Sequence, residues 1–218
     1  MGTVVGIVPA GGGGERLGAE CPKAFVLLAG RPLLDWSVDV LASVCDRVVV
    51  AVPAGHEAPP DWVRGGESRS ASVRAALAAA PEAGIAVVHD AARPLVTSEL
   101  VVRCLAALRE GEADGVIAAA PVTDTIKEAD GGRRVLRTLE RSALWAAQTP
   151  QVFRAEALRR ALEVDAATLA GATDDASLVE AAGGTVAVVD SSPANLKVTT
   201  PLDLQLAERL LSVRIGPC

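Results

Sequence analysis

Apolar and polar positions follow two different periods along this chain. Residues 3–8 form a β-branched run that ends at Pro9 and a cluster of glycines, which is typical of a buried parallel strand ending in a loop. After Pro32, apolar side chains recur at helical spacing as far as Val44 and predict an amphipathic helix that begins at its proline. The next apolar run, residues 47–52, predicts a second strand.

The alternation continues toward the C-terminus. Further helices are predicted at residues 70–80, 98–108, 155–163 and 174–182 and from Pro201, and further strands at residues 85–89, 115–120 and 185–189. Strands that alternate with helices indicate an α/β fold, a Rossmann-like and mostly parallel sheet flanked by helices. The length of 218 residues favours a single domain over residues 1–218.

One segment interrupts this rhythm. Residues 123–128 and 133–139 flank Asp130, Gly131 and Gly132, a turn signal that predicts a β-hairpin. A two-stranded hairpin is marginally stable alone. We therefore expect residues 123–139 to project as an arm that packs on something else, and a second subunit of a homodimer is the partner we expect.

Composition and charge exclude several classes of protein. The net charge of -6 argues against a nucleic-acid surface, which needs a concentrated positive field. The apolar runs are far shorter than the roughly 20 residues that span a bilayer, and no basic leader precedes the first strand, so we expect a cytoplasmic protein without a membrane segment. Four scattered cysteines and two histidines give no zinc spacing.

The clearest candidate for chemistry is residues 9–23, PAGGGGERLGAECPK, where a strand runs into four glycines followed by Arg16 and Lys23. Glycines let backbone N–H groups approach phosphate oxygens, and two cations supply the charge that a triphosphate needs. The register fits neither a Walker A loop nor a dinucleotide fingerprint. On the glycines alone, a glycine-rich turn with solvated charges explains the segment equally well.

Residues 65–73, GGESRSASV, place backbone groups and hydroxyls before a predicted helix. This arrangement suits hydrogen bonds to a small polar base edge, and Gly66 and Ser72 are the candidates for them. Helix capping by Ser68 or Ser70 is the competing interpretation.

Residues 89–94, HDAARP, follow a strand at the carboxyl edge, where open α/β sheets bind ligands. Asp90 there suits a ribose, Mg²⁺ or a helix N-cap. Arg93 suits a phosphate or an ion pair with Asp90. The acidic pair Asp174 and Asp175 is interpreted as the first turn of a helix, where carboxylates favour the macrodipole.

Seven blocks in order resemble the 2-C-methyl-D-erythritol 4-phosphate cytidylyltransferases of the non-mevalonate isoprenoid pathway, and the resemblance covers nearly the full chain. The blocks are PAGGGGERLGAECPK (9–23), GGESRSASV (65–73), VHDAARP (88–94), PVTDTIK (121–127), QTPQVF (148–153), ATDDAS (172–177) and NLKVTTPLDL (195–204). The resemblance implies a fold of the nucleotide-diphospho-sugar transferase type and a homodimer. It also implies in-line attack by the substrate's phosphate oxygen on the α-phosphorus of CTP, with pyrophosphate leaving and Mg²⁺ required.

The resemblance assigns roles to single residues. Arg16 and Lys23 match two catalytic cations that stabilise charge at the α-phosphate. The nucleotide site that it implies comprises Pro9, Ala10, Gly11, Gly12, Gly66, Glu67, Ser72, Asp90 and Ala91. The substrate site that it implies comprises Arg93, Thr138, Arg154 and Lys197. Lys197 matches the residue that holds the substrate's phosphate, Thr138 matches one that reaches the partner's site, and Asp90 is the candidate metal ligand.

Three other functions compete with this one. A cytidylyltransferase for another polyol phosphate, such as ribitol 5-phosphate, would share the fold and the CTP loop, but Lys127 and Lys197 favour methylerythritol phosphate. The missing glycine fingerprint opposes a dinucleotide-dependent oxidoreductase. The presence of both Arg16 and Lys23 opposes a nucleotide-binding module without catalysis.

Overall fold

The structure, a computed structural model, describes residues 2–11, 17, 21–53, 55, 59 and 62–215. The strands are β1 (Thr3–Pro9), β2 (Leu27–Leu28), β3 (Arg31–Pro32), β4 (Arg47–Val52), β5 (Val63–Arg64), β6 (Ala83–Val88), β7 (Gly115–Pro121), β8 (Lys127–Ala129), β9 (Val135–Thr138), β10 (Trp145–Arg154) and β11 (Val186–Asp190). The helices are α1 (Leu33–Ala42), α2 (Arg69–Ala78), α3 (Ser98–Glu110), α4 (Ala155–Leu162), α5 (Ala166–Gly171), α6 (Asp175–Ala181) and α7 (Pro201–Ile215). No helix in these ranges is both long and apolar enough to cross a membrane.

Seven strands form the central sheet in the order β11-β7-β10-β6-β1-β4-β5. Strand β1 pairs in parallel with β4 and β6, and β11 pairs in parallel with β7. The predicted α/β fold with a mostly parallel sheet is therefore confirmed. Because β1, β4 and β6 run side by side in one direction, the loops that follow them meet at one edge of the sheet, which is where such sheets bind ligands.

Strand β10 is the longest of the elements that the sequence pattern did not predict. It lies in the middle of the sheet and runs antiparallel to both β6 and β7. The centre of the strand, residues 148–151 (QTPQ), is polar and contains Pro150, which argues against a central strand. The proline is tolerated because it lies at a register shift between Ala147 and Gln151, where the regular ladder is interrupted.

The core lies on both faces of the sheet, as the alternation of side chains along each strand requires. In β1, Val5 and Ile7 pack with α2, α4 and α6 on one face. Val4 and Val8 of the same strand pack with α1 and α3 on the other. Helix α7 covers a smaller cluster through Ala207 and Leu211. Most buried residues of the two larger clusters are Ala or Val, so the core depends on many small side chains that pack closely.

The predicted hairpin is present at β8 and β9, which form a separate two-stranded sheet. Asp130 stabilises the turn by accepting hydrogen bonds from the backbone N–H groups of Gly132 and Arg134, at 2.9 and 3.0 Å. Two large apolar side chains of the arm, Val135 and Leu136, are 57% and 56% exposed. This exposure is what we expect of an arm that packs on a second subunit, and the dimer itself stays a prediction.

We predict that Gly115→Ala destabilises the fold, because an added Cβ would lie 2.5 Å from Cδ1 of the fully buried Phe153. Overpacking of this kind costs about 1–3 kcal/mol of the free energy of unfolding, measurable in urea. Gly131→Ala is the matched control, because that position has open space around it. Equal stabilities of the two variants would contradict this account of Gly115.

Candidate functional site

A cleft of about 240 Å³ opens at the carboxyl edge of the sheet. Its lining residues are Arg69, Asp90, Arg93, Ala147, Gln148, Thr149, Gln151, Thr173, Asp174 and Lys197. Three of them are cations and two are carboxylates, so positive charge is in excess. A cleft with this charge suits an anionic ligand such as a phosphate ester.

Asp90 is paired with two cations of the cleft, Arg69 and Lys197. It lies two residues after the end of β6 and is 7% exposed. One carboxylate oxygen, Oδ1, accepts a hydrogen bond from Nε of Arg69 at 2.8 Å, and Oδ2 lies 2.6 Å from Nζ of Lys197. Burial raises the pKa of the Asp90 carboxyl, but the Arg69 and Lys197 cations outweigh it and hold that pKa well below its ordinary value. Asp90 is therefore ionised at any physiological pH.

Arg69, the first residue of α2, bridges two carboxylates. Its Nη1 lies 2.6 Å from Oδ2 of Asp175, which is fully buried at the start of α6. Burial alone would lower the pKa of Arg69, but Asp90 and Asp175 raise it above its ordinary value. The guanidinium thus ties the edge of the sheet to two helices.

Sequence reasoning missed both Arg69 and Asp175. The first-turn interpretation is confirmed by position: Asp174 is the N-cap of α6, where it accepts a hydrogen bond from the Ser177 N–H at 2.9 Å, and Asp175 is the first residue of the helix. The neighbouring Asp175 is buried together with Leu178 and Val179, three and four residues further on. A carboxylate on the apolar face of a helix was the signal that could have found it.

His89 supports the Asp90 segment from inside the protein. The Asp90 N–H donates to Oγ1 of Thr149 at 3.1 Å, and the same hydroxyl lies 3.0 Å from Nδ1 of His89. Because Nε2 faces the carbonyl of Arg93, which can only accept, a neutral ring carries its proton on Nε2, and Nδ1 accepts from the Thr149 hydroxyl. Nε2 donates to the carbonyl of Arg93 at 3.1 Å. A neutral His89 therefore satisfies both partners.

A second network fixes the loop that carries Lys197. Nδ2 of Asn195 donates to Oε1 of Gln148 and to the carbonyl of Thr149, both at 2.9 Å. Arg93 donates from Nη1 to the carbonyl of Asn195 at 2.7 Å. Burial and the neighbouring Arg69 lower the pKa of Arg93. These bonds bring the predicted substrate residues Arg93 and Lys197 into one cleft with Asp90.

Lys23 approaches the same loop from the glycine-rich segment. Its Nζ lies 3.4 Å from Oγ1 of Thr199, and the Thr199 hydroxyl donates to the carbonyl of Lys197 at 3.1 Å. A candidate catalytic cation is thus next to the candidate phosphate-binding loop. Arg16 and Gly12 lie outside the described residues.

The remaining nucleotide residues lie at the ends of adjacent strands. Pro9 is the last residue of β1, Ala10 and Gly11 follow it, and Ala91 lies three residues after the neighbouring strand β6. Together with Asp90, these residues lie where the neighbouring strands β1 and β6 end, at the carboxyl edge of the sheet. Their contact with a nucleotide stays a prediction.

The loop before α2 is shaped by Gly66, Ser68 and Ser72. A Cβ at Gly66 would lie 2.5 Å from Cβ of Ala71, so only glycine lets the loop lie against the helix. Ser68 caps α2 by accepting from the Ala71 N–H at 3.2 Å, which confirms the capping interpretation for that residue. The buried Ser72 hydroxyl donates to the carbonyl of Ser68 at 2.9 Å. Gly66 and Glu67 are exposed, so their backbone remains accessible to a base.

Arg154 lies away from this cleft, because β10 runs antiparallel and carries it to the opposite edge of the sheet, beside Ile85. Its guanidinium donates to the carbonyls of Leu108 and Gly111 at 3.2 and 3.0 Å, at the end of α3. Arg154 therefore does not line the cleft of its own chain, and a role for it in binding substrate stays a prediction.

Thr138 lies on the exposed arm, where its hydroxyl accepts from Nζ of Lys127 at 2.7 Å. It does not line the cleft of its own chain. Its role at a partner's site stays a prediction.

The residues of the cleft are compatible with a metal ion only if the substrate supplies most of its ligands. Among the described residues, no three His, Cys, Asp or Glu side chains are grouped as metal ligands. Both oxygens of Asp90 are paired with cations, so direct ligation by Asp90 does not fit. Mg²⁺ is often held chiefly by substrate phosphates. A Mg²⁺ ion carried by a triphosphate is compatible with this edge.

Comparison with known proteins gives one consistent result. A sequence model of the family described as 2-C-methyl-D-erythritol 4-phosphate cytidylyltransferase matches residues 4–213. A protein of that name from Nocardia farcinica is 48% identical over 225 residues, which is 98% of this chain and 96% of that protein. A crystal structure of the same-named protein from Thermus thermophilus has a TM-score of 0.78 and 36% identity, and covers 94% of this chain and 97% of that one. The structure of the same-named protein from Francisella tularensis has a TM-score of 0.80 and 30% identity, and covers 95% of this chain and 99% of that one.

We predict that acid destabilises the protein through His89. Burial lowers the pKa of His89 from 6.5 to about 4, so the unfolded chain takes up this proton first as the pH falls. The free energy of unfolding should therefore decrease between pH 6.5 and about 4, by up to roughly 3 kcal/mol from this group.

Urea unfolding at several pH values measures this effect. The His89→Gln variant, whose amide does not titrate, is expected to be less stable at neutral pH but to lose less stability on acidification. Parallel curves for the two proteins would show that His89 is not the group responsible.

Proposed function

Because the chain belongs to the 2-C-methyl-D-erythritol 4-phosphate cytidylyltransferase family, we propose that it transfers a cytidylyl group from CTP to 2-C-methyl-D-erythritol 4-phosphate. The products are 4-diphosphocytidyl-2-C-methyl-D-erythritol and pyrophosphate. The observation that carries this proposal is the cationic cleft of Arg69, Arg93 and Lys197, close to Lys23 and at the carboxyl edge of a fold matched over nearly its full length. The names of the relatives do not favour another polyol phosphate such as ribitol 5-phosphate.

The reaction is an in-line displacement at the α-phosphorus of CTP. A phosphate oxygen of the substrate forms the new P–O bond, while the bond to the bridging oxygen of the β-phosphate breaks and pyrophosphate leaves with the electron pair. No covalent nucleophile on the protein is needed. Catalysis then consists of positioning and of positive charge where negative charge develops.

The chain's own residues divide these tasks. The backbone around Gly11 and Gly66 seats the nucleotide at the ends of β1 and β5. Lys197 and Arg93 receive the substrate's phosphate in the cleft. Lys23, whose Nζ lies 3.4 Å from Oγ1 of Thr199 on the Lys197 loop, is the cation that we assign to the junction of the two phosphates. This arrangement supports a role for Lys23 in stabilising the charge that grows there.

Mg²⁺ is part of the proposal, held by the phosphate oxygens of CTP. It would neutralise charge on the triphosphate and on the departing pyrophosphate. Asp90, paired with Arg69 and Lys197, orders the edge against which the nucleotide lies. We place the reaction in the cytoplasm, where CTP is available.

The direct test is to incubate the protein with CTP, Mg²⁺ and either methylerythritol phosphate or ribitol 5-phosphate while pyrophosphate release is measured. We expect rapid release with methylerythritol phosphate and little with ribitol 5-phosphate. No release with methylerythritol phosphate, or faster release with ribitol 5-phosphate, would contradict the proposed substrate.

We predict that Lys23→Ala lowers kcat by about 10²–10³-fold, because removing one charge-stabilising donor typically costs roughly 3–4 kcal/mol of barrier. The KM for CTP should change far less. The same result is expected of Arg16→Ala on sequence grounds. Arg109→Ala, which removes an exposed cation in the last turn of α3, is the control and should keep its activity. A variant that keeps more than about a tenth of wild-type kcat would lose its catalytic assignment.

We also predict that the arm completes the site of a second subunit. Lys23→Ala and Thr138→Val chains should each be impaired alone, whereas a mixed dimer contains one site with both residues intact. Random re-association of the two variants should restore roughly a quarter of wild-type activity. Full activity at monomeric mass, or no recovery from two well-folded dimeric variants, would show that each site is built from one chain.

A further inference from the structure

The two cations that pair with Asp90 differ in how firmly they are held. Arg69 has 26% of its side chain exposed and is tied a second time, at 2.6 Å, to the fully buried Asp175. The Lys197 side chain is 43% exposed and reaches Asp90 from a loop at the mouth of the cleft. Arg69 is therefore a fixed partner of Asp90, and Lys197 is the partner that can exchange.

This difference matters when an anion enters the cleft. A phosphate that takes the Lys197 ammonium removes one of the two cations that face Asp90. A buried carboxylate that loses its last counter-ion is strongly destabilised, so Lys197 would resist leaving if it were the only one. With Arg69 in place, Asp90 keeps a charged partner throughout.

We propose that Arg69, anchored by Asp175, is a positioning residue that keeps Asp90 paired and in place while Lys197 turns to the phosphate of the substrate. The inference rests on the proposed function, because it assumes that a phosphate ester occupies the cleft. It assigns a role to two residues, Arg69 and Asp175, that need not touch the substrate. They act on it through Lys197.

The inference predicts a selective defect when Arg69 is removed. Lys197 then becomes the sole cation bonded to Asp90, and the substrate's phosphate must compete with a buried carboxylate for it. The KM for the polyol phosphate should rise, whereas the KM for CTP should change little. A neutral side chain in place of Asp90 would remove the competition.

The test variant is Arg69→Met/Asp175→Asn, which removes one positive and one negative charge together and leaves no buried carboxylate without a partner at Asp175. We expect its KM for 2-C-methyl-D-erythritol 4-phosphate to rise by about tenfold or more and its KM for CTP to stay within about threefold. In the Asp90→Asn background, the same pair of substitutions should change the KM for the polyol phosphate by less than about threefold. Arg74→Met, an exposed cation on the same helix that donates to the Val164 carbonyl, is the matched control.

Other outcomes overturn the inference. If both KM values rise together, or if the rise persists in the Asp90→Asn background, Arg69 acts through general structure. An unchanged KM for the polyol phosphate also overturns the inference. If the wild-type protein forms no pyrophosphate, the proposed function fails instead. Calorimetry then measures the Kd of each variant for inorganic phosphate. The inference holds if Arg69→Met/Asp175→Asn raises that Kd by about tenfold or more, and by less than about threefold in the Asp90→Asn background.

Discussion

Asp90 lies between the Arg69 guanidinium and the Lys197 ammonium, at 2.8 and 2.6 Å, and is 7% exposed. An ionised group removed from water is stable only when it is paired and hydrogen-bonded. The pairing here draws together segments that are far apart in the sequence: the start of α2, the end of β6, the start of α6 and the loop before α7. The shape of the cleft therefore depends on one charge and its partners.

The sheet makes this pairing possible. Parallel strands β1 and β6 bring the glycine-rich segment and the Asp90 segment to one edge, and the antiparallel β10 brings Thr149 between them and the C-terminal loop. Thr149 joins His89 to the Asp90 backbone, while Asn195 joins Thr149 to the loop of Lys197. A displacement of any one segment would therefore be felt by the others, which is the condition for a preorganised charge distribution.

Local signals explain what could be predicted from the sequence. The spacing of apolar residues predicted the alternation of helices and strands. The turn signal of Asp130, Gly131 and Gly132 predicted the hairpin arm. Strand β10 was missed because it pairs with residues distant in the sequence and because its polar, proline-containing centre, residues 148–151, resembles a loop. Arg69 was missed because its partners lie 21 and 106 residues away, so no local pattern contains them. The position of Arg154 was not predicted, because the direction of β10 decides at which edge of the sheet this residue lies and that direction was not predicted.

The ionisation of Asp90 is the central claim of this account, and nuclear magnetic resonance of the aspartate carboxyl carbons measures it directly. The Asp90→Asn variant assigns the resonance. We expect the Asp90 signal to remain at its ionised position as the pH is lowered from about 6 to about 3.5, past the ordinary aspartate value. A signal that titrates with a midpoint near the ordinary aspartate value of about 3.9 would contradict the buried, doubly paired carboxylate on which the site depends.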